Sequence, residues 1–109
     1  MNEFLIEAKL ENMDAVQDFI SAHIEDCPPK IQRQIGIAVD EVFPNIASYA
    51  YNPATGGAAV RIAVDSSITI EFEDSGIGRS RRELKKHFAH DAHLPIQWFI
   101  YTNDMTNSQ

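Results

Sequence analysis

Between residues 35 and 51 the chain reads IGIAVDEVFPNIASYAY, with apolar positions at helical spacing. At about 100° per residue, Ile35, Val39, Val42, Ile46 and Ala50 share one broad face, which predicts a helix over residues 30–51. Two polar residues break the pattern: Asn45 falls inside the apolar sector and Glu41 at its margin, one turn apart. Pro28 and Pro29 end whatever precedes and suit a first helical turn. Pro44 is the anomaly. Inside a helix it deletes the hydrogen bond to the Asp40 carbonyl, which costs about 3 kcal/mol or a kink.

Upstream, Phe4, Ile6, Ala8 and Leu10 alternate with Leu5, Glu7 and Lys9, predicting a strand with one buried face. Asn12 is the predicted cap of a helix over residues 13–26, with Asp14 in its first turn and an apolar stripe of Val16, Phe19, Ile20, His23 and Ile24. A lone histidine beside such a stripe reads as a hydrogen-bonded core residue rather than a ligand. Downstream, residues 52–57 form a loop by composition. Val60, Ile62 and Val64 then alternate with polar neighbours, Ser66-Ser67 makes a tight turn, and Ile68, Ile70 and Phe72 alternate again. That pattern predicts a hairpin with one buried face. Asp74 keeps the phase of Ile68, Ile70 and Phe72, so a strand reaching that far places it on the core side. Gly76 and Gly78 follow and permit close approach of a ligand or another backbone. The plainer alternative is that Asp-Ser-Gly simply turns the chain.

Beyond Gly78 the pattern changes. Residues 80–90 read as a basic helix with Leu84 and Phe88 at i, i+4, and residues 96–101 as a short apolar strand. His87, His90 and His93 are spaced i, i+3, i+6, and one helix cannot aim all three at one metal, so a solvated tail is the expectation there. Arg79, Arg81, Arg82, Lys85 and Lys86 can attract phosphates or form a solvated face.

Composition narrows the class. The 109 residues suit one modest domain, 44% hydrophobic and 23% charged. No apolar run approaches the roughly 20 residues of a membrane span, and Glu3 and Glu7 stand where a signal peptide carries basic residues, so a cytoplasmic protein without membrane partners is expected. Cys27 is the single cysteine, which excludes an internal disulfide and a multi-cysteine zinc site; it is expected to be a buried or half-buried thiol. A net charge of −7 argues against nucleic-acid binding. That charge is uneven: residues 1–78 carry 4 Lys/Arg against 13 Asp/Glu, and residues 79–109 carry 5 against 3. The chain accordingly divides at Gly78 into a partial domain, 1–78, and an atypical basic tail, 79–109.

Glu41 and Asn45 need an explanation, because burying a polar group without a partner costs roughly 1–3 kcal/mol and more for a charge. A carboxylate and an amide oxygen at i, i+4 can hold a hydrated divalent cation, and Mg²⁺ binds through one or two carboxylates plus waters and substrate phosphates. The plain alternative is a Glu41 that is solvated or paired with Lys30 or Arg33, and an Asn45 bonded to a neighbouring loop.

Ala38-Val39-Asp40-Glu41 through Asn45-Ile46-Ala47-Ser48-Tyr49-Ala50-Tyr51, followed by a hairpin and Asp74-Ser75-Gly76-Ile77-Gly78, resembles the histidine-kinase-like ATPase superfamily with the Bergerat ATP-binding fold. Within it the chain is most similar to bacterial anti-sigma-factor serine kinases, over about the first 77 residues. The resemblance implies ATP and Mg²⁺ as cofactors, with Asn45 on the metal, Glu41 as base or water-orienting group, Asp74 accepting from the adenine amino group, and Gly76 and Gly78 giving the base room. It implies a serine/threonine protein kinase acting in transcription regulation, with an anti-sigma antagonist or a sigma factor as partner.

Three departures qualify it. Pro44 stands where such proteins have an ordinary residue, Gly78 fits the wider superfamily better than the anti-sigma kinases, and no glycine follows Gly78, so the glycine-rich phosphate segment is not found. The coincident changes lead to the expectation of a chain truncated or altered after Gly78, by frameshift or gene truncation. The expected fold is therefore α+β, an incomplete Bergerat-type α/β sandwich of a strand, two helices and a hairpin. Its open sheet edge invites a homodimer, or is filled by residues 96–101. The expected function is an ATP-binding kinase domain with impaired transfer; the alternative is a catalytically inactive interaction module or a remnant.

Overall fold

The computed structural model describes residues 1–49, 56–74, 79–84 and 94–103, with side chains for 1–44, 56–73 and 94–100. Its elements are β1 (Asn2–Glu7), a 3₁₀ turn (Leu10–Asn12), α1 (Met13–Ala22), α2 (Pro29–Tyr49), β2 (Gly57–Val64), β3 (Ile68–Asp74), β4 (Arg79–Leu84) and β5 (Ile96–Asn103). The architecture is α+β: one mixed sheet in the order β1-β2-β3-β5-β4, with two helices. All neighbours are antiparallel except β3 and β5, which are parallel.

Alternation builds the sheet's buried face. Val60, Ile62, Ile68, Ile70 and Phe72 are fully buried, and the register sets Val60 opposite Phe72 and Ile62 opposite Ile70. Trp98 and Ile100 extend that face onto β5, opposite Ile70 and Phe72. Val16, Ile20 and Ile24 from the α1 region and Ile31, Ile35, Ala38, Val39, Val42 and Phe43 from α2 complete the same core. In β1 the alternation holds as well: Phe4 and Ile6 pack inward while Leu5 is 70% exposed.

Three boundaries differ from the sequence expectation. The first strand stops at Glu7, because Leu10 turns outward into the 3₁₀ turn. Helix α1 ends at Ala22 rather than near Asp26. Its last turn tightens, with the His23 and Ile24 amides donating to Ile20 and Ser21, while His23 Nδ1 donates to the Phe19 carbonyl at 2.8 Å. The imidazole thus takes the acceptor that a continuing α-helix would give to the His23 amide. His23 is a half-buried, hydrogen-bonded residue whose ring packs on Phe19, as expected of it. The hairpin loop is Asp65–Ser67 rather than Ser66-Ser67 alone, since Val64 pairs with Ile68 and the Asp65 carboxylate accepts from the Ser67 amide at 3.0 Å.

The largest correction lies past Gly78. Residues 80–84, expected to begin a basic helix, instead belong to β4, antiparallel to β5. The expected strand at residues 96–101 is present as β5, and it covers the β3 edge. Once β5 is laid against β3, its outer edge offers a row of unpaired backbone groups. Pairing them outweighs the weak helical preference of RSRREL. The remainder of the expected helix and the three histidines 87, 90 and 93 lie outside the described residues.

The opposite sheet face carries an ion network. Arg61 binds Glu71 through Nε at 2.8 Å, Glu73 through Nη2 at 2.7 Å and Glu3 through Nη1 at 3.0 Å. Burial disfavours the charged guanidinium, but the hydrogen bonds it donates to Glu71, Glu73 and Glu3 outweigh it and hold the arginine above its ordinary range. With side-chain exposures of 18% for Arg61 and 14% and 16% for Glu71 and Glu73, these charges are well withdrawn from water. Arg61→Ala leaves three carboxylates facing one another, and a loss of about 1–3 kcal/mol at pH 7 is expected. Urea midpoints of both chains at pH 7 check this.

Candidate functional site

Helix α2 presents Glu41 as the sequence pattern requires. Its neighbours Val42 and Phe43 are buried, while Glu41 is exposed and makes no ion pair or hydrogen bond among the described residues. The alternative pairing with Lys30 or Arg33 is not present among them. The helix passes through Pro44 without interruption and carries Asn45 one turn after Glu41, so their i, i+4 relation is kept in the backbone. The Asn45 side chain lies outside the described atoms.

Strand β3 runs to Asp74, the condition that sequence parity set. Asp74 pairs with Ala58 and keeps the register phase of Ile68, Ile70 and Phe72. Its side chain, and Gly76 and Gly78 entirely, lie outside the described residues. Val42 and Phe43, between Glu41 and Asn45, and Phe72, two residues before Asp74, belong to the common core of the helices and the sheet.

Mg²⁺ fits this donor set. It needs few protein oxygens when waters and phosphates fill its octahedron, and the exposed Glu41 carboxylate stands one turn before an amide residue, Asn45. A site built wholly from protein ligands is a different matter: no group of three or more His, Cys, Asp or Glu that could hold a metal occurs among the described residues.

Two features here escaped sequence reasoning. Gln17 of α1 bridges to α2, its Nε2 donating to the Gly36 carbonyl at 2.9 Å and to Asp40 Oδ1 at 2.7 Å. Gln34 Oε1 is buried without a hydrogen-bond partner. The first is a contact between distant positions, and the second depends on packing, so no local pattern announces either.

Cys27, between the helices, is half-buried as expected. Burial first, and the neighbouring Asp26 second, raise its thiol above the ordinary range. Alkylation by iodoacetamide at pH 8 is expected to be slower than for the urea-unfolded chain, because the thiolate is the reacting form; mass spectrometry of timed samples measures it.

The chain matches the family model of the histidine kinase-like ATPase domain over residues 6–97. The match runs well past Gly78 and takes in β4 and the start of β5. No curated protein and no solved structure matches the chain. No helix among the described residues is long and apolar enough to cross a membrane.

Proposed function

We propose, on the premise that the chain belongs to the histidine kinase-like ATPase domain family, that it binds Mg·ATP between the Glu41–Asn45 turn and the end of β3. The observation that carries this reading is the placement of two features: an exposed Glu41 one turn before Asn45, and a β3 that reaches Asp74 in phase with its buried residues. In this reading Asn45 is the metal ligand and Glu41 orients or deprotonates the attacking group. Asp74 accepts from the adenine amino group, with Gly76 and Gly78 leaving room for the base. The bound Mg²⁺ supplies charge neutralisation at the phosphates. The finer assignment is a serine kinase of the anti-sigma-factor type, cytoplasmic, acting on an anti-sigma antagonist or binding a sigma factor, and working as a homodimer.

A second reading is favoured by one sequence fact: no glycine follows Gly78. A backbone cradle for the phosphates relies on close amide approach, and positioning supplies most of phosphoryl-transfer catalysis. On that reading the domain is an inactive interaction module or a remnant that still folds. Incubation with Mg·[γ-³²P]ATP and an antagonist protein discriminates the two. Phosphoserine on the antagonist, lost in Glu41→Gln, is the kinase outcome, and nucleotide binding without transfer is the module outcome.

A further inference from the structure

We infer that Gln17 is a positioning residue for the nucleotide site: its bridge to Gly36 and Asp40 fixes the direction in which the Glu41–Asn45 turn of α2 projects. The inference rests on the Mg·ATP reading above and concerns how that site is held.

Both hydrogens of one amide nitrogen are used, at 2.9 Å to the Gly36 carbonyl and 2.7 Å to Asp40 Oδ1. The two acceptors are one turn apart on α2. A single side chain from α1 therefore grips two consecutive turns, and the bond to the charged Asp40 is of the stronger kind. The grip ends where the helix weakens. Pro44 has no amide hydrogen to give the Asp40 carbonyl, and its ring crowds that carbonyl, so the turn from Asp40 to Pro44 lacks one backbone bond and is held on its core side by the packing of Val42 and Phe43. Glu41 lies inside that weak turn and Asn45 just beyond it.

The geometry also keeps the clamp off the ligand side. At about 100° per residue, Asp40 is about 100° around the helix from Glu41 and about 140° from Asn45. Gln17 holds the back of α2 and leaves the flank carrying Glu41 free, in keeping with the exposed Glu41. Upstream of the clamp, Ile31 and Ile35 are buried and immobilise the helix by packing. Downstream, Val42 and Phe43 pack one face of the turn into the core, and the Gln17 bond to Asp40 is the hydrogen-bonded hold on the other flank, beside the bond that Pro44 lacks. A helix held at Asp40 presents Glu41 and Asn45 in one direction, whereas a helix released there samples several, and the ligand then meets the competent one only part of the time.

The site's two ends respond differently. Asp74, on β3, belongs to another element, so loosening α2 weakens the metal and phosphate end and spares the adenine end. The test is calorimetric titration of the full chain with Mg·ATP, and with ADP in EDTA, for the parent and for Gln17→Met, Asp40→Leu and Asp40→Asn. Gln17→Met matches the side chain in size and lacks the donor. With both bonds lost, Mg·ATP binding is expected to weaken by roughly tenfold. Metal-free ADP binding should stay within about twofold. Asp40→Leu keeps the Gly36 bond and should weaken Mg·ATP less than Gln17→Met does, while Asp40→Asn keeps the acceptor oxygen without its charge and should fall between Asp40→Leu and the parent. Equal weakening of both ligands indicates a merely structural role and overturns the inference, as does unchanged Mg·ATP binding in Gln17→Met. A parent chain that binds neither ligand overturns the ATP reading itself, which is a separate outcome.

Discussion

Trp98→Ala is expected to destabilise the chain by about 3–5 kcal/mol, the range for removing a large aromatic side chain from a packed core. Trp98 is only 1% exposed, pairs in register with Ile70, and lies parallel to Phe72 with ring centroids 6.2 Å apart. A loss of that size is a large share of the 5–15 kcal/mol typical of a domain, and a chain of this length has little in reserve. The control is Gln97→Ala, one residue earlier and exposed, which should change stability by no more than about 0.5 kcal/mol. Urea unfolding followed by far-ultraviolet circular dichroism reads both, since Trp98 is also the single tryptophan and its fluorescence vanishes with it. The contrast bears on the basic tail. If β5 completes the core, Trp98→Ala is severe and Gln97→Ala is silent; if residues beyond Gly78 were an appendage, both would be silent.

Asp74→Ala has the second largest expected effect, roughly a hundredfold weaker binding of ATP and ADP alike, with or without Mg²⁺. A carboxylate accepting a hydrogen bond in a pocket contributes about 1.5–3 kcal/mol, and its removal also leaves the adenine amino group unpaired. Asn45→Ala should act differently, removing the gain in affinity that Mg²⁺ confers and leaving metal-free binding near the parent value. Titrations of the two variants with ATP in Mg²⁺ and in EDTA separate the roles. The same two-by-two pattern keeps the adenine end and the metal end of the site distinct.

Much of this was readable from local pattern. The α2 stripe and the β2–β3 hairpin follow from periods of 3.6 and 2, because each element buries one face and the code for burial is local. The phase of Asp74 was readable for the same reason, once β3 was seen to reach it. Elements fixed by partners were not. Nothing in RSRREL alternates, and β4 exists because β5 offers it an edge. Helix α1 ends early because the His23 imidazole takes the Phe19 carbonyl, a competition that a helical stripe running through His23 and Ile24 conceals. The Arg61 network was half visible, since Arg61, Glu71 and Glu73 share a face by parity, but Glu3 joins it only through the β1–β2 register.

The candidate site divides along the same line. Glu41 and Asn45 are four residues apart on one helix, so their relation is a local matter and was legible. The clamp from Gln17 crosses 19 residues to Gly36 and 23 to Asp40, and it depends on how two helices pack. Sequence also marked a sharp change of charge and glycine use at Gly78, yet the sheet continues through both strands that follow. Surface charge answers to solvent and partners, whereas strand pairing answers to buried apolar positions such as Trp98 and Ile100, and the two need not change together.

The most direct measurement is calorimetric titration of Mg·ATP into the unmodified chain. Saturable one-to-one binding in the micromolar range, strengthened by Mg²⁺, is the expected result; no heat of binding up to millimolar ATP would contradict a nucleotide site between α2 and β3.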